Sequence, residues 1–149
     1  MDEILLKKID RHNFLEAINL KLWKSQERFV DNPVRSLAEG YVYYNECTPF
    51  GIYLDNKMIG YVMVIYNYDL HEYKIGHMVI DRNYQHNGYG KMAMEKCLDY
   101  IKTKPFGKSD KIVLTCNIEN NIAIHLCDKL GFVETGRIDG EGKELLLMI

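Results

Sequence analysis

Residues 81–102 read DRNYQHNGYGKMAMEKCLDYIK, and their types and spacing suit the binding of an anion. An apolar run ends at Ile80, and an amphipathic helical pattern begins at about Gly88. A helix start presents unpaired N–H groups and the positive end of its dipole. Glycines at 88 and 90 remove the Cβ atoms that would hold a phosphate away from that backbone. Gln85, His86 and Asn87 add polar donors, and Lys91 adds a positive charge in the first turn. The pattern fits a phosphate or diphosphate lying against the loop. It is neither the three-glycine dinucleotide fingerprint nor a P-loop, since the spaced third glycine and the Gly-Lys-Ser/Thr ending are missing. Taken alone, two glycines are equally compatible with a turn that merely starts a helix.

The surrounding elements alternate in type. EILLKKI reads as a first strand, FLEAINLKLW as a first helix, and SLAEGYVYYNE as a second helix capped by Ser36. FGIYL and MIGYVMVIY form a hairpin across DNK, and EYKIGHMVI is a fourth strand. In the third helix Ala93, Met94, Cys97, Leu98 and Ile101 share one face, with charged residues opposite. KIVLTC is a fifth strand, NNIAIHLCDKL a fourth helix closed by Gly131, and FVETGRI with KELLLMI a last hairpin. The order β-α-α-β-β-β-α-β-α-β-β defines an α/β (mixed α+β) domain. A central, largely antiparallel sheet of about seven strands is flanked by about four helices. At 149 residues the chain reads as one domain, residues 1–149.

Composition narrows the function classes. A net charge of -2 with interleaved acids and bases gives no footprint for nucleic acid or an anionic membrane. The start MDEILLKKID is in the wrong order for a secretory signal, and the apolar run from Met58 to Tyr66 is too short to span a bilayer. Cys47, Cys97, Cys116 and Cys127 form no Cys-x-x-Cys pair and read as reduced thiols of a cytoplasmic protein. Neither they nor the five histidines have metal-ligand spacing, so no metal is expected.

The segment YQHNGYGK resembles the Gln/Arg-x-x-Gly-x-Gly signature of the GNAT acyl-CoA-dependent N-acetyltransferases. Downstream, ENNIAIHLCDKLGFVETG is similar to that family's Asn-x-x-Ala-(x)3-Tyr-(x)3-Gly-Phe segment, and the element order also matches. FVDNPVRSLAEGYVYYNECTPFGIY, MVIDRNYQHNGYGK and GFVETGRIDGEGKELLL look like the bacterial spermine/spermidine acetyltransferase type. The resemblance implies a GNAT-like fold and acetyl-CoA as cosubstrate. It also implies that Gln85, His86, Asn87, Gly88, Tyr89, Gly90 and Lys91 surround the pyrophosphate. Met78, Val79 and Ile80 would pair with the pantetheine arm and polarise the thioester carbonyl, and Asn120 would contact the arm. Tyr89 and Met92 are as readily packing residues.

The implied reaction is attack of a primary amine on the thioester, and the amine must lose a proton because an ammonium has a pKa near about 10.4. Relatives carry an acid on strand four at positions that match Lys74 and Gly76. Glu72, nearer the strand start, is therefore the first candidate base. His77 is the second, pointing away from Met78 if strand alternation holds. Cys127 stands where the family carries a tyrosine that protonates the departing thiolate; it is read either as that acid or as a small apolar residue sharing a face with Ala123 and Leu130. A polyamine would meet Glu27, Asp31, Glu39 and Tyr43, with Tyr41 and Tyr44 adjacent. Alternative acceptors are an aminoglycoside, a peptide N-terminus or a lysine, and the other class of reading is a non-catalytic CoA-binding sensor. A homodimer is common in the family.

Overall fold

The apolar runs at residues 47–54 and 57–67 are buried almost throughout because both faces of the sheet are covered, and the third helix turns its apolar stripe inward. The computed structural model describes residues 3–30 and 32–149. Strands β1 (Ile4–Lys8), β2 (Cys47–Leu54), β3 (Lys57–Asn67), β4 (Glu72–Ile80), β5 (Lys111–Asn117), β6 (Val133–Asp139) and β7 (Gly142–Met148) form one sheet in the order β1-β2-β3-β4-β5-β7-β6. Every neighbouring pair is antiparallel except β4 with β5. Helices α1 (Phe14–Ile18), α2 (Pro33–Val42), α3 (Tyr89–Lys102) and α4 (Asn121–Lys129) complete the expected mixed α/β architecture.

Two apolar cores lie on opposite faces of the sheet. One joins Val62, Val64, Tyr73 and Ile75 to Ala93, Met94, Cys97, Leu98 and Ile101 of α3, the helical face anticipated from spacing. The other joins Ala17 of α1 to Tyr61, Met63 and Val79. Each buried side chain of Val, Leu or Ile size contributes about 1.5–3 kcal/mol, so the long α3 stripe is a principal anchor of the fold.

Two helices depart from the sequence expectation. Helix α1 ends at Ile18 instead of running on through Trp23. The Lys21 N–H donates to the Asp81 carboxylate at 3.0 Å, and the Lys21 carbonyl accepts from Arg82 N–H at 2.7 Å. These tertiary bonds take the backbone groups that would have continued the helix. Helix α2 begins at Pro33, capped by the Asn32 side chain, which accepts from Arg35 N–H at 3.0 Å. Ser36 is therefore not a cap but an interior residue, fully buried against the sheet. The signal was Asn-Pro, a good cap followed by a residue preset for the first helical position.

The β4 strand has two irregularities that shape the site. It pairs with β5 only at Tyr73↔Ile112 and Lys74↔Val113, after which the two strands diverge. On its other side the register with β3 jumps from Tyr61↔Val79 to Met63↔Gly76. That jump sets His77 and Met78 opposite Val62 alone, a β-bulge, and His77 has a left-handed φ of 56°. The extra residue reverses the facing of the rest of the strand: Tyr73 and Ile75 lie in the α3 core, whereas Val79 lies in the α1 core. Strict alternation about His77 does not hold.

Candidate functional site

The divergence of β4 from β5 opens a cleft of about 430 Å³. Its floor is the end of β4, Met78–Ile80; one wall is the Leu22–Val30 segment, and the opposite rim carries the starts of α3 and α4. Of the eleven residues assigned to the cofactor from sequence, all but Asn87 line this space. Asn87 turns its amide back onto the Tyr84 and Gln85 carbonyls, at 3.3 and 3.0 Å, and so shapes the loop from behind.

The loop is built for backbone exposure. His86 and Gly88 both adopt left-handed conformations, with φ of 65° and 82°. A left-handed residue other than glycine is uncommon, so His86 marks a loop held in a demanding shape. Alternation of this kind turns successive N–H groups toward one concavity, which suits an anion. Gly88 caps α3 with no side-chain bond to the first turn, and a Cβ built there meets no atom within 4 Å. The space a side chain would occupy is open for a ligand. Gln85 secures the loop: its amide donates to the Ile80 carbonyl at 2.8 Å and exchanges two 2.9 Å hydrogen bonds with Gln26. Asn120 caps α4 by accepting from Ala123 N–H at 3.4 Å, which brings a second helix start to the rim. Arg28 and Glu119 meet across the mouth at 2.8 Å, an exposed pair worth at most about 1 kcal/mol.

Beyond the floor, the bulge directs His77 at helix α2. Its Nδ1 lies 2.6 Å from Ser36 Oγ, which lies 2.7 Å from the Tyr61 hydroxyl, while Nε2 stands 3.7 Å from Glu39 Oε2. The other Glu39 oxygen accepts from Arg35 Nε at 3.3 Å. Ser36 and Tyr61 are both 0% exposed, and burial pushes the Tyr61 hydroxyl up to about 12. The sequence marks Ser36 only as a helix cap and gives Tyr61 no role at the site. A lone serine in a helix and a tyrosine in an apolar strand carry no local mark of partnership, and their separation of 25 residues hides it.

The remaining sequence candidates sit elsewhere. Glu72 is the first residue of β4, nearly a strand length from the cleft floor, with its carboxylate 4.0 Å from Lys111 Nζ. Cys127 is 3% exposed and does not line the cleft. Its thiol lies against that of Cys116, and this hydrogen-bonding contact, with burial, pushes the Cys127 thiol up. The Cys116 thiol is correspondingly lowered, chiefly by the same hydrogen bond, with Lys143 helping. Glu27 is exposed beyond a short 3-10 turn, Tyr43 ends α2, and Asp31 lies outside the described residues. Among the described residues no group of three His, Cys, Asp or Glu side chains could hold a metal ion, and no helix is long and apolar enough to cross a membrane.

A mixed seven-stranded sheet that splays beside a glycine-bearing helix start is the architecture expected of a GNAT-like fold. The sequence profile of the Acetyltransferase (GNAT) family matches residues 14–132, and the chain belongs to that family. No curated protein sequence gives a significant match. Among solved structures, the fold is similar to spermidine N-acetyltransferase from Vibrio cholerae in complex with CoA and spermine. That likeness has TM-score 0.78 and 23% identity, covering 97% of this chain and 95% of that one. It is equally similar to an acetyltransferase from Salmonella typhimurium that modifies the N-terminal serine of a 50S ribosomal subunit protein. There the TM-score is 0.78 at 14% identity, with 98% and 95% covered. A GNAT-family acetyltransferase from Bacillus anthracis aligns with TM-score 0.76 at 16% identity, over 99% and 96%.

Proposed function

We propose that this chain transfers an acetyl group from acetyl-CoA to a primary amine, with a polyamine such as spermine or spermidine as the favoured acceptor. The observation that carries the reading is a cleft lined by an exposed-backbone loop and by the end of β4 left unpaired on its β5 side. The Glu39–His77 pair lies outside that lining, with His77 one residue before Met78 along the strand. The open space at Gly88 fits a pyrophosphate, and the β4 edge past Lys74 offers amide groups to an arm that itself carries amides. Bound acetyl-CoA supplies an activated acyl carbon on a thiol leaving group.

The protein's own residues then have three tasks. Loop 85–91 and the start of α4 hold the phosphate end of the cosubstrate. Backbone N–H groups at Met78–Ile80 orient and polarise the thioester carbonyl. The Glu39–His77 pair receives the proton that the amine nitrogen releases as its lone pair forms the new C–N bond. The C–S bond breaks with its electron pair leaving on sulfur, and the proton returns through solvent to the thiolate.

The half-buried Glu39 and exposed Glu27, with Tyr43 nearby, support a polycation as acceptor, because carboxylates and ring faces both attract ammonium groups. The likeness to the spermine-bound Vibrio cholerae enzyme supports the same choice. The equal likeness to the Salmonella enzyme supports a second reading, a peptide N-terminal amine. Free-thiol release should be followed with acetyl-CoA and a panel of spermine, spermidine, a monoamine and a short peptide. A polyamine kcat/KM at least about tenfold above the monoamine value is expected, with the preference weakening as salt screens exposed charges. Equal values for polyamine and monoamine would remove the polyamine assignment. CoA binding without thiol release from any amine would leave a sensor.

A further inference from the structure

The imidazole of His77 is hydrogen-bonded at Nδ1, with Nε2 facing Glu39 across 3.7 Å, and the groups behind Nδ1 set its proton position. Tyr61 is protonated at any physiological pH, since burial raises its hydroxyl to about 12. Among the described residues the acceptor for that buried proton is Ser36 Oγ, at 2.7 Å. The hydroxyl proton of Ser36 then has two directions open: His77 Nδ1 at 2.6 Å, or the Met63 sulfur at 3.9 Å. An imidazole nitrogen is a strong acceptor and a thioether a weak one, and only the shorter distance is normal for an O–H donor. The neutral ring therefore accepts at Nδ1 and carries its single proton on Nε2, facing Glu39. The opposite tautomer would send the serine proton to sulfur and set an Nε2 lone pair against a carboxylate oxygen 3.7 Å away.

We infer that Tyr61 and Ser36 are positioning residues that commit neutral His77 to the Nε2–H tautomer, which makes Glu39 the proton acceptor of the acetyl-transfer site. His77 then presents its Nε2–H toward one Glu39 oxygen across 3.7 Å, an electrostatic contact, while Arg35 donates to the other oxygen at 3.3 Å. A carboxylate has lone pairs beyond the one that Arg35 uses, and they remain for an amine. The nitrogen becomes far more acidic as the C–N bond forms, so a carboxylate suffices to take its proton. The Glu39 assignment rests on the proposed acetyl transfer, whereas the tautomer does not.

The tautomer can be read directly. Two-bond 1H–15N spectra of histidine-labelled protein at about pH 9, above the ordinary imidazole pKa near about 6.5, distinguish the two forms. The His77 signals are assigned by their loss in His77→Gln. The expected pattern is Nε2–H with an unprotonated, hydrogen-bonded Nδ1, and an Nδ1–H pattern in the wild-type protein overturns the inference without needing any further variant. Ser36→Ala should populate both tautomers, and an unchanged spectrum would overturn the role of Ser36. Tyr61→Phe should move the Nδ1 resonance part of the way toward the Ser36→Ala value; no movement would overturn the role of Tyr61.

Kinetics test the second half. Glu39→Gln should lower kcat by at least about a hundredfold with the KM for acetyl-CoA kept, the scale of a lost general base. His77→Gln, whose amide keeps an N–H donor near the Nε2 position, should lose less than about tenfold. Equal losses would return the base role to His77. If the wild-type protein acetylates no amine, the proposed function fails, and the spectra still decide the tautomer.

Discussion

The two sides of the β4 bulge are built from different parts of the chain. On the cofactor side the working groups are main-chain N–H and C=O groups, exposed because two residues hold left-handed φ and two strands part. On the acceptor side the working groups are side chains from α2, β3 and β4, joined as Tyr61–Ser36–His77–Glu39. A backbone site tolerates most side-chain changes and fails when a Cβ intrudes. A side-chain relay is graded, losing most when Glu39 is replaced and less at His77, Ser36 or Tyr61, but it accepts changes in the loops around it. The contrast matches the tasks, since pyrophosphate is common to every acyl-CoA reaction whereas the acceptor varies.

The contrast breaks most sharply at Gly60, where β3 faces the end of β4. A Cβ there would lie 2.6 Å from the Val79 carbonyl oxygen, an atom of the cleft floor that cannot swing aside. Gly60→Ala should cost about 3 kcal/mol, read as a lower urea midpoint, with acetyl-CoA affinity falling in whatever protein remains folded. A wild-type midpoint would mean that the floor of the cleft gives way more easily than packed sheet should.

Gly88→Val is the milder challenge to the same side. Its φ of 82° is a conformation a β-branched residue adopts only with strain, although the side chain itself meets open space. The dissociation constant for acetyl-CoA, from calorimetry, should rise at least tenfold, about 1.4 kcal/mol. Gln85→Ala should do less, because its amide braces the loop from the Gln26 side. Unchanged affinity in folded Gly88→Val protein would end the phosphate-cradle reading.

Alkaline pH probes the buried side chains instead. Tyr61 and Cys97 are both raised to about 12 by burial, from ordinary values of 10.0 and 9.0. The folded protein therefore holds these protons more tightly than the unfolded chain does. Their contribution to stability is whole below pH 9 and is lost as pH climbs through 12. Unfolding free energies from urea titrations should fall across that window by about 1 kcal/mol per pH unit per group, and Tyr61→Phe should flatten the decline. An equally steep decline in that variant would show that Tyr61 ionises as freely as an exposed phenol.

The smallest expected effect is at Cys127. With its thiol turned to Cys116 and little of it exposed, Cys127→Ala should leave kcat within about threefold while lowering stability by about 1 kcal/mol. A large fall in kcat with unchanged KM for acetyl-CoA would instead assign Cys127 the proton delivered to the thiolate.

Local chemistry wrote much of this protein where it could be read. The loop from Gln85 to Lys91, the apolar face of α3 and the order of strands and helices depend on glycine freedom, polar donors and periodicity, all of which act within a few residues. The sequence alone therefore reached the family signature and ten of the residues lining the cleft. It could not reach the bulge at His77, because a bulge is a mismatch between two strands and exists only when β3 supplies the partner count. Nor could it tell that Lys21 would leave the first helix for Asp81, 60 residues away, or that Ser36 would turn from a helix cap into the buried link between Tyr61 and His77. Those outcomes were decided by tertiary pairing, since a hydrogen-bonding group buried among distant neighbours takes whichever partner the packing brings within reach, and no local pattern records which one that will be.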